Sequence, residues 1–404
     1  MRPKVTTPAH RTDRLAELVC SNTFKSTETT SAHGLLKAEL RLLGSVLLAC
    51  ADESRVPGGS ALAVDRDAFS ARATERVSGH PNVTLVREEA TALPEPGIVA
   101  TGPLTSEALS QAIAAALGAD ALAFYDAIAP IVSSESLDTA RLYRASRYGK
   151  GEGADYWNAP LGREEYGAFL GALRTADQYR AHEFDAVPYF EGCLPVEEMA
   201  ARGEDTLRFG PMKPVGLADP RTGKEPWAVV QLRQEDRAGQ MWNLVGFQTR
   251  LRTGEQQRVF RMIPGLERAE FLRYGSIHRN SYVNTPKCLS PHLALRDRPA
   301  TLFAGQLTGG EGYTESLGTG LLAGLNLARI LRGKQPLVPP PTSMLGGLLR
   351  YLREAEPARF QPMNANFGLL APLEQAPRNR ERRNAALAQR ALADMAAFRE
   401  ALEA

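Results

Sequence analysis

Near residue 300 the chain spells out an apolar strand, a glycine-rich turn and a long helix: TLFAGQLTGGEGYTESLGTGLLAGLNLARIL, 301 to 331, with glycines at 305, 309, 310 and 312 and a helix opening near Glu315. Glycine's missing side chain lets a ligand approach the backbone. A turn that runs into a helix aims N–H groups and the positive end of the helix dipole at an anion. A plain surface loop is the competing reading of the same glycines. The strand, turn and helix together belong to the grammar of a parallel sheet covered by helices. The grammar occurs once before, in GIVATGPLTS, 97 to 106, where an apolar strand ends in a Thr101-Gly102 turn and a helix follows from about Glu107 to Leu117. Upstream, SAHGLLKAELRLLGSVLLAC, 31 to 50, sets Leu35, Leu36, Leu40, Leu43, Val46 and Leu47 on a helical stripe, and a short strand is expected near Val83 to Val86.

Between about Asp155 and Arg296 the texture changes to short strands, prolines and aromatics, including AVVQLR, 228 to 233, and WNLVGFQT, 242 to 249. Two α/β pieces around a unit of different texture are what an insertion into a dinucleotide-binding fold produces. The expected organisation is therefore an α/β, Rossmann-like domain in two pieces, 1–155 and 297–404, around an α+β insertion domain, 156–296. LVPPPT is a stiff connector, a charged helical tail runs from 377 to 403, and no internal repeat is visible.

With 404 residues the chain exceeds one ordinary core, which agrees with two packed units. Hydrophobic residues make up 43% and charged residues 23%, and no apolar run approaches the roughly 20 residues of a membrane-spanning helix. The start, MRPKVTTPAHRTDR, is basic and broken by proline with no apolar region behind it, unlike a secretory signal, so a cytoplasmic location is expected. A net charge of +2 gives no global basic footprint, and any RNA contact has to come from local patches. Cys20, Cys50, Cys193 and Cys288 lie far apart without metal-ligand or disulfide-scaffold spacing, so thiols and no metal are expected.

Two cysteines stand in suggestive contexts. Cys193, in YFEGCLPVEEMAARG, lies where a turn meets an expected helix, whose dipole would favour a nucleophilic thiolate; a small buried hydrophobe is the bland alternative. Cys20, in ELVCSN, has the same two readings, while Cys50 ends an apolar helical stripe and Cys288 has no motif around it. HRNSY, 278 to 282, and FGPMKPVG, 209 to 216, offer Arg279 and Lys213 as holders of a phosphate or carboxylate, against the ordinary reading of solvated surface charge.

The strings ELVCSN, GLLKAELRLLGS, VPGGSALAVDRDAFS, IVATGPLTS, FYDAIAPI, FEGCLPVEEMAARG, FGPMKPVGLADPRTG, VFRMIPGLERAEF, FAGQLTGGEGYTES and FQPMNANFGL succeed one another along essentially the whole chain. In that order they resemble the folate- and FAD-dependent tRNA (uracil-5-)-methyltransferase family. The resemblance implies that 5,10-methylenetetrahydrofolate passes a one-carbon unit to reduced FAD, that the flavin delivers it to C5 of the T-loop uridine, position 54, and that hydride completes the methyl group. NADH or NADPH rereduces the cofactor. It implies Cys193 as the nucleophile that adds to C6 of uracil and Cys20 as a second catalytic cysteine near the flavin. Arg2, Thr101, Gly102, Gly305, Gln306, Gly309, Glu311 and Gly312 are the implied cofactor-binding residues, and His278, Arg279, Asn280, Tyr313 and Lys213 the implied folate or base contacts. Oligomeric state stays open.

The sequence departs from the family pattern in three places. Ala159 stands where an Asn-Cys-Pro run usually has cysteine, and Gly310 replaces an apolar residue. Family members also open with a strand and a G-x-G-x-x-G turn; Met1-Arg2-Pro3 matches the residues just after their second strand, which puts roughly 30 family residues ahead of this start. A start codon assigned too late is the expected reason for the gap; the chain as given is expected to bind FAD poorly, and a flavin-free tRNA-binding remnant is the rival expectation. The related flavoprotein that modifies the wobble uridine shares the flavin grammar and lacks these cysteine motifs.

Overall fold

The computed structural model describes residues 4, 7, 9–117, 121–179 and 194–403, with backbone alone at 121–127 and 277–280. The first piece holds β1 (Thr23–Ser26), α1 (Ala32–Leu42), α2 (Val46–Glu53), β2 (Arg55–Val56), β3 (Ala61–Val64), α3 (Arg66–Ser78), β4 (Gly97–Val99) and α4 (Glu107–Leu117). Ser31, Ser45 and Asp65 start α1, α2 and α3 by accepting from the amides of Gly34, Leu48 and Ala68. The stripe from 31 to 50, continuous in sequence, breaks into two helices because Gly44 turns left-handed at φ +73° and Ser45 caps a new one. β1, β3 and β2 form a small antiparallel sheet. The strand expected near Val83 to Val86 does not form: the segment is irregular, and Val83, Leu85 and Val86 stay exposed with no sheet face to cover.

The chain leaves this piece through β5 (Ala121–Ile128). It then builds β6 (Ile131–Ser133), β7 (Tyr143–Ala145), β8 (Tyr156–Leu161), α5 (Arg163–Thr175), α6 (Val196–Arg202), α7 (Thr206–Phe209), β9 (Ala228–Gln234), β10 (Met241–Leu244), α8 (Thr253–Phe260) and β11 (Phe271–Arg273). The six strands β11-β6-β10-β9-β8-β7 make one antiparallel sheet. The sheet thus begins at Ile131, ahead of the change in texture near 155, since β6 and β7 are too short to register as periodic in sequence. Phe169 and Leu173 of α5, Phe260 of α8 and Val230 and Leu232 of β9 are fully buried in a core of its own. Each such side chain contributes roughly 1.5–3 kcal/mol.

The return is by β12 (Ser276–Val283), which pairs antiparallel with β5 from Ser276 opposite Ile128 to Val283 opposite Ala121. After it come α9 (Thr285–Cys288), β13 (Thr301–Phe303), α10 (Tyr313–Leu331), α11 (Met344–Glu354) and α12 (Arg380–Glu403). β13 lies parallel to β4, Leu302 opposite Ile98, so the two glycine-turn segments are neighbours and both strands point the same way. Leu35, Leu36 and Leu40 of α1 pack with Leu322 of α10, Leu345 and Leu348 of α11 and Met395 of α12 in a second core that unites residues from both ends of the chain.

Candidate functional site

Parallel strands carry their ligands beyond their carboxyl ends. Beyond β4 and β13 lies a cavity of about 870 Å³ lined by Ala100 to Leu104, Ala304 to Gln306 and Glu311 to Leu317, and closed by Cys20, Phe24, Lys25, Val245, Gly246 and Gln248. The size falls within the range of small-molecule and cofactor pockets, about 300–1,000 Å³. Gly102 and Gly305 both adopt φ +72°, a conformation that costs other residues strain, and a side chain at Gly102 would meet nothing but open space. Thr101 and Thr105 close the first turn through a 2.6 Å hydroxyl contact. The second turn hands the chain to α10 at Gly312, φ +119°, without a side-chain cap, and the first residues of α10 line the cavity.

Glu315, in that first turn, is buried. Burial raises its carboxyl pKa, but His33, Lys25 and the Ala365 amide more than offset this and hold it below the ordinary value. Its Oε1 accepts from Ala365 N at 2.8 Å and sits 3.4 Å from His33 Nε2. Lys25, a non-glycine at φ +62°, lines the cavity and donates to Asn364 Oδ1 at 3.1 Å.

Cys20 faces the same cavity from a loop clamped on both sides. Arg66, from α3, donates to Leu18 O at 2.6 Å and to Cys20 O at 3.1 Å, while its Nε meets buried Glu235 at 2.5 Å. Arg273, the last residue of β11, donates to Val19 O at 2.7 Å. Burial, with Arg66 and Arg11 nearby, lowers the Arg273 pKa to about 10. The Cys20 amide donates to Tyr313 Oη at 2.9 Å, which ties the loop to the opening of α10. Burial and the adjacent Cys20 push the Tyr313 hydroxyl above its ordinary pKa. The outcome is a thiol-bearing loop fixed by four hydrogen bonds beside a cavity lined by both glycine turns and by the start of α10.

Residues 1–335 match the family model described as glucose inhibited division protein A. The methylenetetrahydrofolate–tRNA-(uracil-5-)-methyltransferase TrmFO of Geobacter sulfurreducens is 56% identical over 397 residues, covering 98% of this chain and 91% of that protein. TrmFO of Thermosynechococcus vestitus is 57% identical over 406 residues, covering 100% and 89%. The chain belongs to the TrmFO methyltransferase family. The fold is also that of Aquifex aeolicus GidA in its form II crystal, with a TM-score of 0.69 at 16% identity, over 96% of this chain and 67% of that one. The α/β, Rossmann-like class expected from the sequence is thereby shown.

Of the residues that the resemblance to the methyltransferases marks for cofactor, Thr101, Gly102, Gly305, Gln306, Glu311 and Gly312 all line the cavity. Gln306 Nε2 donates to Glu311 Oε2, which closes the second turn on itself. Gly309 does not line it; at φ +83° it backs against Phe360, where a Cβ would come within 2.6 Å of the ring. Arg2 and Cys193 lie outside the described residues. The described chain resumes at Leu194, and Val196 N donates at 2.7 Å to the carbonyl of Gln248, a cavity residue. Tyr313 lines the cavity and holds the Cys20 loop. His278, Arg279 and Asn280 sit in β12 opposite Asp126, Tyr125 and Phe124, and the amide of the next residue, Ser281, donates to Pro103 O at 3.1 Å beside the first glycine turn. Lys213 is not among the cavity residues; its carbonyl is held by Arg147 in the inserted unit. Sequence reasoning missed Arg66, Arg273, Lys25 and His33, which have no motif signal because their partners are remote in the chain. Among the described residues no helix is long and apolar enough to cross a membrane, and no group of three or more His, Cys, Asp or Glu gathers as a metal site would.

Proposed function

We propose that the protein methylates C5 of the T-loop uridine, position 54, of tRNA, with 5,10-methylenetetrahydrofolate as donor, FAD as cofactor, NADH or NADPH as reductant and the cytoplasm as its location. The observation that carries the reading is the meeting of Cys20 with both glycine turns and the start of α10 around one cavity, in a chain of the methyltransferase family. The residues present fit a flavin: two left-handed glycines leave backbone open to a flat ring, and an uncapped helix start suits its phosphates. Thr101, Gly102, Gly305, Gln306 and Gly312 would hold it. When bound, the flavin supplies a carrier for the one-carbon unit and the hydride that completes the methyl group.

The chemical difficulty on the tRNA side is that C5 of uracil is a poor nucleophile. Addition of the Cys193 thiolate to C6 converts the ring to an enolate with nucleophilic character at C5. In this scheme Cys20, whose loop is held by Arg66, Arg273 and Tyr313, would take the proton that C5 loses once the new bond at C5 has formed, and that loss expels the Cys193 thiolate from C6. The organisation we propose is an α/β flavin domain in two pieces, before and after the inserted antiparallel unit whose sheet runs from Ile131 to Arg273.

The test tracks radiolabel from methylenetetrahydrofolate into a tRNA transcript in the presence of FAD and NADPH or NADH. The wild-type chain is expected to label the transcript. Cys193→Ala is expected to abolish labelling while the protein stays yellow. Undiminished labelling by Cys193→Ala would remove that residue from the chemistry; a wild-type protein that takes up no flavin would overturn the cofactor reading.

A further inference from the structure

A strongly basic segment opens α12. In PRNRERRN, 377 to 384, Arg378, Arg380, Arg382 and Arg383 stand against a single acid, Glu381. Arg378, Arg380 and Arg382 are exposed and Arg383 half-buried. Among the described residues none of the four guanidiniums makes an ion pair or hydrogen bond. Elsewhere on the surface Arg41 pairs with Asp52, Arg72 and Arg76 with Glu53, and Arg141 with Glu165 and Glu267.

Their place on the helix is unfavourable for folding. Asn379 caps α12, its side chain accepting from Arg382 N at 3.0 Å and its carbonyl from Arg383 N at 3.0 Å. Arg380, Arg382 and Arg383 therefore occupy the first turn, where the helix dipole repels cations. In the first turns of α3, α5, α6 and α8 the acids at least match the bases, with Asp67 beside Arg66, Glu164 and Glu165 beside Arg163, Glu197 and Glu198, and Glu255, whereas α12 sets only Glu381 against three arginines. A polyanion lying over α12 reverses the sign of the conflict, and local rules broken without structural compensation mark binding sites.

The segment is also tied to the cavity side of the molecule. Asn384 Nδ2 donates to Thr30 O at 3.1 Å, which fixes the start of α12 on the loop between β1 and α1. That loop comes after Lys25, which lines the cavity, and includes Glu28, which Lys150 reaches at 2.5 Å.

We propose that Arg378, Arg380, Arg382 and Arg383 form a docking surface for the phosphate backbone of the RNA whose base enters the cavity. The proposal rests on the tRNA reading above and adds the place where the rest of that substrate is held. Guanidinium forks match phosphate oxygens, and a chain with a net charge of only +2 needs such a local patch to bind a polyanion.

The full chain and an Arg378→Gln/Arg380→Gln/Arg382→Gln variant are titrated with fluorescein-labelled tRNA transcript from about 50 to about 200 mM salt. The variant is expected to bind at least tenfold more weakly at the low-salt end, with a log–log salt slope shallower by about 2. Its melting temperature is expected to equal or exceed that of the wild type, since the conflict with the dipole is gone. The matching triple Lys variant should keep most of the affinity. A folded Gln variant that binds with wild-type affinity and slope overturns the docking surface and leaves the tRNA reading intact; a wild-type chain that binds no tRNA overturns both. If the variant loses only sedimentation with phosphatidylserine vesicles, a membrane surface is the partner and the proposal fails. Should the Gln variant melt early, Arg380→Glu and Arg382→Glu, which suit the helix start, give the same reading one residue at a time.

Discussion

At the scale of single residues, Arg66 is the residue on which the Cys20 loop depends. It holds two carbonyls of that loop and neutralises Glu235, which is 1% exposed. Arg66→Ala leaves that carboxylate buried and unpaired, and is expected to cost about 3–5 kcal/mol in urea unfolding; adding Glu235→Gln should recover a substantial part. A cost below about 1 kcal/mol would show that the loop is held by other means. Lys37 behaves differently. Its ammonium, 0% exposed, donates to Phe24 O at 2.6 Å and His33 O at 2.9 Å, and burial pushes its pKa down to about 7 despite the nearby Glu315 carboxylate, with Arg41 and Lys25 adding to the depression. The unfolded chain therefore binds more protons than the folded one between about pH 7 and about pH 10, so stability rises with pH across that window. Measured against Lys37→Met, which does not titrate, the wild type should gain on the order of 4 kcal/mol between those limits. A flat difference would place the Lys37 pKa near its ordinary value. Half-buried His33 and buried Glu315 form the neighbouring pair, their side chains brought together from positions far apart in the sequence.

At the scale of elements, the starts of α11 and α10 are built in opposite ways. α11 begins at Ser343, whose side chain accepts from Gly346 N, yet the amides of Met344 and Leu345 donate to the two oxygens of Glu39 on α1, at 2.7 and 2.9 Å. Glu39 is 0% exposed, and burial raises its pKa to about 8. Glu39→Ala should strip two buried amides of their acceptors and destabilise the fold by about 2–4 kcal/mol, whereas Glu39→Gln, which keeps one acceptor in place, should cost about 1 kcal/mol. Thermal melts of the two variants separate these outcomes, and equal costs would mean that volume rather than capping is what matters. The start of α10 shows the opposite device: it lacks a side-chain cap, and Gly312 at φ +119° leaves the approach open. A methyl group at Gly312 would come within 2.4 Å of Glu315 Oε2. Gly312→Ala is expected to raise the dissociation constant for FAD at least tenfold in a fluorescence titration, about 1.4 kcal/mol or more, and an unchanged constant would take the turn out of the flavin site.

At the scale of the whole molecule, two cores share one chain through the β5–β12 ribbon. The three tryptophans, Trp157, Trp227 and Trp242, all lie in the inserted unit, while Cys50 is sealed in the core built from both ends of the chain. Urea unfolding monitored by tryptophan emission and by alkylation of Cys50 should therefore give two midpoints, and FAD should move the Cys50 midpoint further than the tryptophan midpoint. Coincident curves would show a single cooperative unit. The sequence by itself determined the fold class and the two glycine turns, because a strand, its turn and the helix that follows are local chemistry: Thr101, Gly102, Gly305 and Gly312 sit where their neighbours in the chain put them. Its change in texture to short strands, prolines and aromatics also marked the inserted unit, though not where its sheet begins, since β6 and β7 are each three residues long. Only the tertiary structure decided that Arg66, Arg273 and Tyr313 converge on Cys20, that β4 and β13 are neighbours, and that α12 rests beside the loop leading to Lys25. Those contacts join residues tens to hundreds of positions apart, and which distant side chains meet is set by how whole elements pack, a quantity no local pattern contains.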